Sequence, residues 1–183
     1  MPFTEITTER LLLRQLRMDD APSILVNRST PEVLRWQPVE RKTIEEVRDF
    51  LSQLVTVEPN TPGTWLGMAI VRREDDLLVG DIGARFPEKD TWQAELGIGL
   101  GLPYHGQGYA SEAMRAVMAY LFDTLGKHRV FASIDPRNHA SVALVERLGF
   151  RREAHFESSI WWKGEWADDY IYAMLEDEWR ELR

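Results

Sequence analysis

The residues that carry the most chemical information run from Glu95 to Ala110: Glu95-Leu96-Gly97-Ile98-Gly99-Leu100-Gly101-Leu102-Pro103-Tyr104-His105-Gly106-Gln107-Gly108-Tyr109-Ala110. A carboxylate opens a strand with glycine at alternate positions, and a glycine loop then leads into a helix. Glycine weakens a strand interior, so Gly97, Gly99 and Gly101 point to a bulge or to close approach by a ligand or another backbone. Gly106, Gly108 and Ala110 lack bulky side chains at a helix start, where unpaired N–H groups and the positive end of the helix dipole face an anion. That is the chemistry of a phosphate cradle. The other reading of the same letters is a turn that merely needs positive φ. A P-loop would require Gly-Lys and then Ser or Thr, whereas Tyr109-Ala110 follows Gly108. A dinucleotide fingerprint would require glycine where Ser111 stands and an acid about 20 residues further on. Asp135 comes later than that, so a dinucleotide-dependent oxidoreductase is the weaker alternative.

The elements that must position this run follow from periodicity and capping. Arg10 to Arg17 reads as a first strand, and Asp19 or Asp20 before Pro22 as a helix cap. Thr30-Pro31 opens another short helix. Thr43 to Glu46 has capping-box spacing, and Ile44, Val47, Phe50, Leu51 and Leu54 then share one helical face. Trp65–Arg72, Leu77–Arg85 and Thr91–Leu100 read as three successive antiparallel strands. A helix from Tyr109 to Leu125 stops at Gly126. A strand at Arg129–Ile134, a helix at Asn138–Leu148 and a hairpin of Arg151–Trp162 with Trp166–Leu175 complete the chain. The order is mixed α and β, with no repeat or long linker, and is expected to form one domain over residues 1–183.

Composition narrows the function classes. At 183 residues, with 44% hydrophobic and 28% charged residues, the chain has ordinary globular usage. The absence of cysteine removes disulfides, thiolate nucleophiles and zinc–thiolate or iron–sulfur sites, while leaving the redox compartment open. Thirty acidic against 22 basic residues give a net charge of −8, which disfavours nucleic acid as a partner and favours cationic molecules. The first ten residues lack a secretory pattern, and no run approaches the roughly 18 apolar residues of a membrane helix. A cytoplasmic protein with no membrane association is the expectation. His105, His128, His139 and His155 show no metal-ligand spacing, so no metal is expected.

The loop His105-Gly106-Gln107-Gly108-Tyr109-Ala110 resembles the Gln/Arg-x-x-Gly-x-Gly/Ala signature of the GNAT N-acetyltransferases. Three further segments agree in order. Thr8-Glu9-Arg10-Leu11-Leu12-Leu13-Arg14, then Asn138-His139-Ala140-Ser141 leading to Glu146-Arg147-Leu148-Gly149-Phe150, then Gly164 with Asp168, are similar to the RimJ/RimL-type branch. The resemblance implies an α/β fold (α+β): a mixed, mostly antiparallel sheet flanked by helices. Its fourth and fifth strands splay to admit the pantetheine arm of acetyl-coenzyme A (acetyl-CoA). It implies backbone contacts to that arm at Ile98, Gly99 and Leu100, a pyrophosphate held by the amides from Gly106 through Gln107, Gly108 and Tyr109 to Ala110, and a cofactor contact at Asn138. His105 stands where the signature has Gln or Arg, a departure expected to alter affinity without abolishing binding.

The reaction needs a neutral amine, attack on a thioester carbonyl, stabilisation of the oxyanion and protonation of the thiolate. By the resemblance Glu95 is the general base; its other reading is a strand-edge carboxylate paired with an arginine. A backbone N–H near Ile98 would stabilise the oxyanion. Val145 stands where many relatives carry the tyrosine acid. Ser141, one turn after Asn138, would serve the sulfur instead, unless it is only an early-helix residue bonded to backbone. Trp161, Trp162 and Trp166 with Glu165, Asp168 and Asp169 read as a wall for a cationic amine, or as core or a homodimer surface. Lys127, Arg137 and Arg147 are candidates for the adenosine 3′-phosphate. The expected reaction is acetyl transfer to an amine acceptor, a peptide or protein N-terminal α-amine ahead of a small cationic amine such as a polyamine, amino acid or antibiotic. A coenzyme A sensor without turnover is the alternative from another class.

Overall fold

The computed structural model describes residues 3–182. Its elements are β1 (Ile6–Thr7), β2 (Leu11–Gln15), α1 (Ala21–Arg28), α2 (Pro31–Leu34), α3 (Ile44–Ser52), β3 (Trp65–Arg72), β4 (Leu77–Arg85), β5 (Gln93–Leu100), α4 (Tyr109–Ala119), β6 (Arg129–Ile134), α5 (His139–Arg147), β7 (Arg151–Trp162), β8 (Glu165–Leu175) and α6 (Glu176–Glu181). The strands form one sheet in the order β1-β2-β3-β4-β5-β6-β8-β7. Every neighbouring pair is antiparallel except β5 with β6.

Alternation in the strands divides the apolar residues between two cores. Leu11 and Leu13 join Met114, Val117, Met118, Leu144 and Val145 beneath α4 and α5. Leu16, Ala69 and Val71 pack with Ile24, Val47 and Leu51 under α1 and α3 on the opposite face. The Thr43 box forms as expected: the Glu46 N–H donates to Thr43 Oγ1 at 3.2 Å and the Thr43 N–H to Glu46 Oε2 at 3.0 Å. Asp20 behaves differently from the expected cap. Its carboxylate accepts from the Arg17 N–H at 2.7 Å and from Arg14 at 2.7 and 2.8 Å, an ion pair that turns the chain from β2 into α1. The long helix keeps α geometry only to Ala119 and widens to a π turn over Tyr120–Thr124 before Gly126.

One feature of the register matters most for function. The parallel pairing of β5 with β6 covers only Gln93–Glu95 against Arg129–Phe131. Beyond it β5 runs on to Leu100 beside β4, and β6 to Ile134 beside β8. The two strands therefore part, and the facing edge of β5 has no strand partner from Leu96 onward.

Candidate active site

The parting strands open a cavity of about 340 Å³. Leu96, Gly97 and Ile98 border it from β5; Ala132, Ser133 and Ile134 from β6; Asn138, Ser141, Leu144 and Val145 from the start and inner face of α5. Gly97 and Gly99 have ordinary room around them, with the nearest atoms to an added Cβ at 3.8 and 3.7 Å, in Trp65 and Gln37. Gly101 differs, since an added Cβ would lie 2.4 Å from Asn27 Oδ1. Among the protein's own atoms, close approach accounts for Gly101, and there it is packing.

The loop before α4 has the conformation its glycines allow. Gly106 and Gly108 have φ of +73° and +83°, and Gly108 is the helix N-cap. The turn reading holds, since both glycines have positive φ. Nothing lies within 4 Å of an added Cβ at Gly106. The first intrahelical bond is the Glu112 N–H to the Gly108 carbonyl at 3.1 Å, and no side chain caps the helix. The N–H groups of Tyr109, Ala110 and Ser111 therefore have no helical acceptor.

A carboxylate network holds this loop. Glu112 accepts from Thr8 Oγ1 at 2.6 Å and from the Arg10 N–H at 2.8 Å through Oε1, and from Arg10 Nε at 2.7 Å through Oε2. Burial works to raise the Glu112 carboxyl, but Thr8 and Arg10 outweigh it and leave it lowered. Arg10 also donates to the Gln107 carbonyl at 2.9 Å and lies over the Tyr109 ring. Thr8, Arg10, Glu112 and Arg115 border a shallow depression against the helix start. The sequence reading used Thr8 and Arg10 only as part of a motif; their reach to residue 112 had no local signal.

Other expected residues fall as follows. His105 Nε2 lies 3.0 Å from the Leu100 carbonyl oxygen, so this side chain braces the end of β5 and occupies that acceptor. Gln107 donates to the Pro103 carbonyl at 2.8 Å. Asn138 caps α5 through Oδ1, accepting from the Ser141 N–H at 3.2 Å, and both residues border the cavity. Glu95 borders it too, and its carboxylate is paired with Arg85 at 3.1 Å, as the arginine-paired reading expects.

The expected phosphate contacts need correction at Lys127. Lys127 is 1% exposed, with Nζ on the Thr91 carbonyl and over the Phe86 ring, and so is unavailable to a phosphate. Arg137 is committed to Asp135 and Glu165. Arg147 does lie near the helix start, its Nη1 3.4 Å from Ser111 Oγ.

The aromatic wall is also different from the expected one. Trp161 and Trp166 pack edge to face on each other and are exposed, while Trp162 borders the cavity and donates to the Arg35 carbonyl at 3.2 Å. Lys163 donates to the Leu34 carbonyl at 2.6 Å and to Glu40 at 2.8 Å. These bonds tie the β7–β8 tip to the segment after α2 and bring Trp36, Gln37 and Pro38 to the cavity opposite Trp162. Gln37 is held by Arg28 at 3.0 Å, which is itself bonded to the buried Asp81. Trp36, Gln37, Trp65 and Asp135 were missed by sequence reasoning. Two tryptophans beside Pro- and Gly-containing loops were the only signal.

Among the described residues, four carboxylates, Glu95, Asp135, Asp168 and Asp169, border the cavity, and no Lys, Arg or His does. Asp168 accepts from the Ser158 N–H at 2.8 Å and from His155 at 2.7 Å, and these two hold its carboxyl low. Burial works to raise Asp135, but Arg137 outweighs it and leaves that carboxyl lowered.

The site thus combines a sheet parted between its two parallel strands, an uncapped glycine-led helix start and an acidic cavity. The family description "Acetyltransferase (GNAT) domain" matches residues 10–151, and the chain belongs to that family of acetyltransferase enzymes. It is 31% identical over 175 residues to the uncharacterized N-acetyltransferase YnaD of Bacillus subtilis, covering 95% of this chain and 98% of that one. It is 24% identical over 183 residues to the [ribosomal protein uS5]-alanine N-acetyltransferase of Escherichia coli, covering 98% and 94%. A GNAT-family acetyltransferase structure from Bacillus anthracis superposes with a TM-score of 0.85 at 29% identity, over 95% of this chain and 99% of that one. No helix among the described residues is long and apolar enough to cross a membrane.

Proposed function

We propose that this N-acetyltransferase transfers the acetyl group of acetyl-CoA to a peptide or protein N-terminal α-amine by direct attack. The observation that carries the reading is the gap between β5 and β6, whose cavity is bordered by Met114 of α4 and by four carboxylates with no basic side chain among the described residues, in a chain whose α4 also begins at an uncapped glycine. When bound, acetyl-CoA supplies an activated acyl carbon and a thiolate leaving group. The amides from Gly106 to Ala110, with Arg10, Arg115 and Arg147 beside them, suit its phosphates. Ile98 is left to meet the pantetheine arm, since His105 occupies the Leu100 carbonyl and Gly99 pairs with Asp81 of β4. Asn138 holds the Ser141 backbone at the start of α5, and the serine hydroxyl gives the departing sulfur a proton. Glu95 draws a cationic acceptor into the cavity. The full-length similarity to the uS5-alanine enzyme supports an α-amine, and a cavity of about 340 Å³ suits a small N-terminal residue.

A second reading has its own observation. The bonds of Trp162 and Lys163 to the segment after α2 close one side of the cavity, which favours a small amine. Thiol release from acetyl-CoA across N-terminal peptides, polyamines, amino acids and aminoglycosides separates the two, and the cysteine-free chain adds no background. Release with peptides supports the proposal, and release with small amines alone supports the second reading. Binding of acetyl-CoA without release to any amine would mark a sensor.

A further inference from the structure

Glu95 pairs with Phe131 and Phe131 with Ala173, while Ser133 pairs with Ile171, two residues from Asp169. Cross-strand partners share a face, as do residues two apart on one strand. Glu95, Ser133 and Asp169 therefore stand on one face of the sheet, around the point where β5 and β6 part.

The four cavity carboxylates are not equivalent. Arg85 accompanies Glu95, Arg137 accompanies Asp135, and His155 accompanies Asp168. Asp169 is 7% exposed and is accompanied by no cation among the described residues; its side-chain partner is the Ser133 hydroxyl, 2.8 Å from Oδ1. Burial pushes its carboxyl up, Ser133 and the Ile134 backbone pull it back, and the neighbouring Asp135 adds to the rise. A buried carboxylate without a counter-ion gains most from an arriving ammonium group, and the pair relaxes by moving the proton to the carboxylate.

We propose that Asp169 is the catalytic proton acceptor, taking a proton from the acceptor's ammonium group, while Glu95 attracts and holds that group. This rests on the transferase reading above. One N–H bond of the ammonium breaks and its proton goes to Asp169, leaving the nitrogen electron pair free to attack the thioester carbonyl carbon. As the C–N bond forms and the C–S bond breaks, the second proton leaves nitrogen and the sulfur departs as thiol, with Ser141 placed to relay that proton. Asp169 returns its proton to water as product leaves.

The test compares Asp169→Asn and Glu95→Gln with the amine that wild type turns over best, with coenzyme A affinity by calorimetry as the check on folding. Asp169→Asn is expected to lose about 100-fold or more in kcat, the range of general-base contributions, with coenzyme A affinity kept. Glu95→Gln is expected chiefly to raise KM. Asp169→Glu restores part of kcat, and Ser133→Ala, which keeps the carboxylate, loses less than Asp169→Asn. Unchanged kcat in Asp169→Asn, or a kcat loss confined to Glu95→Gln, overturns the inference alone. A wild type that turns over no amine overturns the transferase reading and this inference with it.

Discussion

Gly108→Ala tests whether the backbone of the glycine loop, and not merely its small side chains, makes the cofactor site. Gly108 has φ of +83°, and an alanine there would place its Cβ 3.2 Å from Arg10 Nη2. That atom is the end of a flexible side chain and gives way by a few tenths of an ångström, so conformational strain dominates. Holding an L-residue in the left-handed region costs about 1–2 kcal/mol. At about 2–4 °C per kcal/mol for a chain of this size, the melting temperature falls by about 2–8 °C. Any rotation that relieves the strain turns the loop amides away from the phosphates. Losing one hydrogen bond to a charged group, about 1.5–3 kcal/mol, raises the Kd for coenzyme A by about 10- to 150-fold. Gly126→Ala is the control: φ there is +63°, nothing lies within 4 Å, and the residue follows the far end of the helix. It is expected to match the thermal loss while binding coenzyme A as wild type does. Calorimetric titration with coenzyme A and thermal melts of both variants decide the matter. Wild-type affinity in Gly108→Ala, or equal weakening in the two variants, would refute the reasoning.

Glu112→Gln is expected to lower stability by about 1–3 kcal/mol, since a charged acceptor of three hydrogen bonds becomes neutral. The folded carboxyl lies below its unfolded value, so its contribution is complete above the unfolded value and is lost as pH falls through the folded one. The melting temperature of wild type should therefore fall more steeply below about pH 4 than that of the variant. Tyr172, which donates to Glu146 at 2.7 Å, is pushed up to about 12, first by burial and then by Glu146. The stability linked to its phenol is full below the ordinary tyrosine value near 10 and is lost as pH rises toward about 12. Tyr172→Phe should cost about 1 kcal/mol near neutrality and remove the last-ionising tyrosine from an ultraviolet titration.

Much of the architecture was legible because short-range rules govern it. The Thr43 box, the alternating strands and the Gly126 stop each act within a few residues, and the elements they predicted appear with small changes of boundary. The exceptions are where a distant partner intervened. Asp20 turned from helix capping to Arg14, and the two-residue β1 forms only by pairing with β2. The turn of π helix past Ala119 left no periodic signal, since it adds one residue to a run that remains apolar on the core side.

For the site, the sequence by itself determined the backbone part: glycines at 106 and 108 before a helix, a glycine-bearing β5 and an asparagine at the start of α5 are local features. The side-chain part was decided by tertiary structure. Lys127 could have been solvated, but folding buried it on the Thr91 carbonyl; Trp161, Trp162 and Trp166 looked alike, but strand alternation and the tie to Arg35 turned only Trp162 inward. Four carboxylates from two strands and the β6–α5 connection met in one cavity, and only the fold paired Glu95 and Asp135 with arginines, Asp168 with His155 and Asp169 with a serine hydroxyl. The physical reason is range: hydrogen-bonding turns and caps are written within one or two turns of chain, whereas burial and charge pairing depend on which distant strands become neighbours.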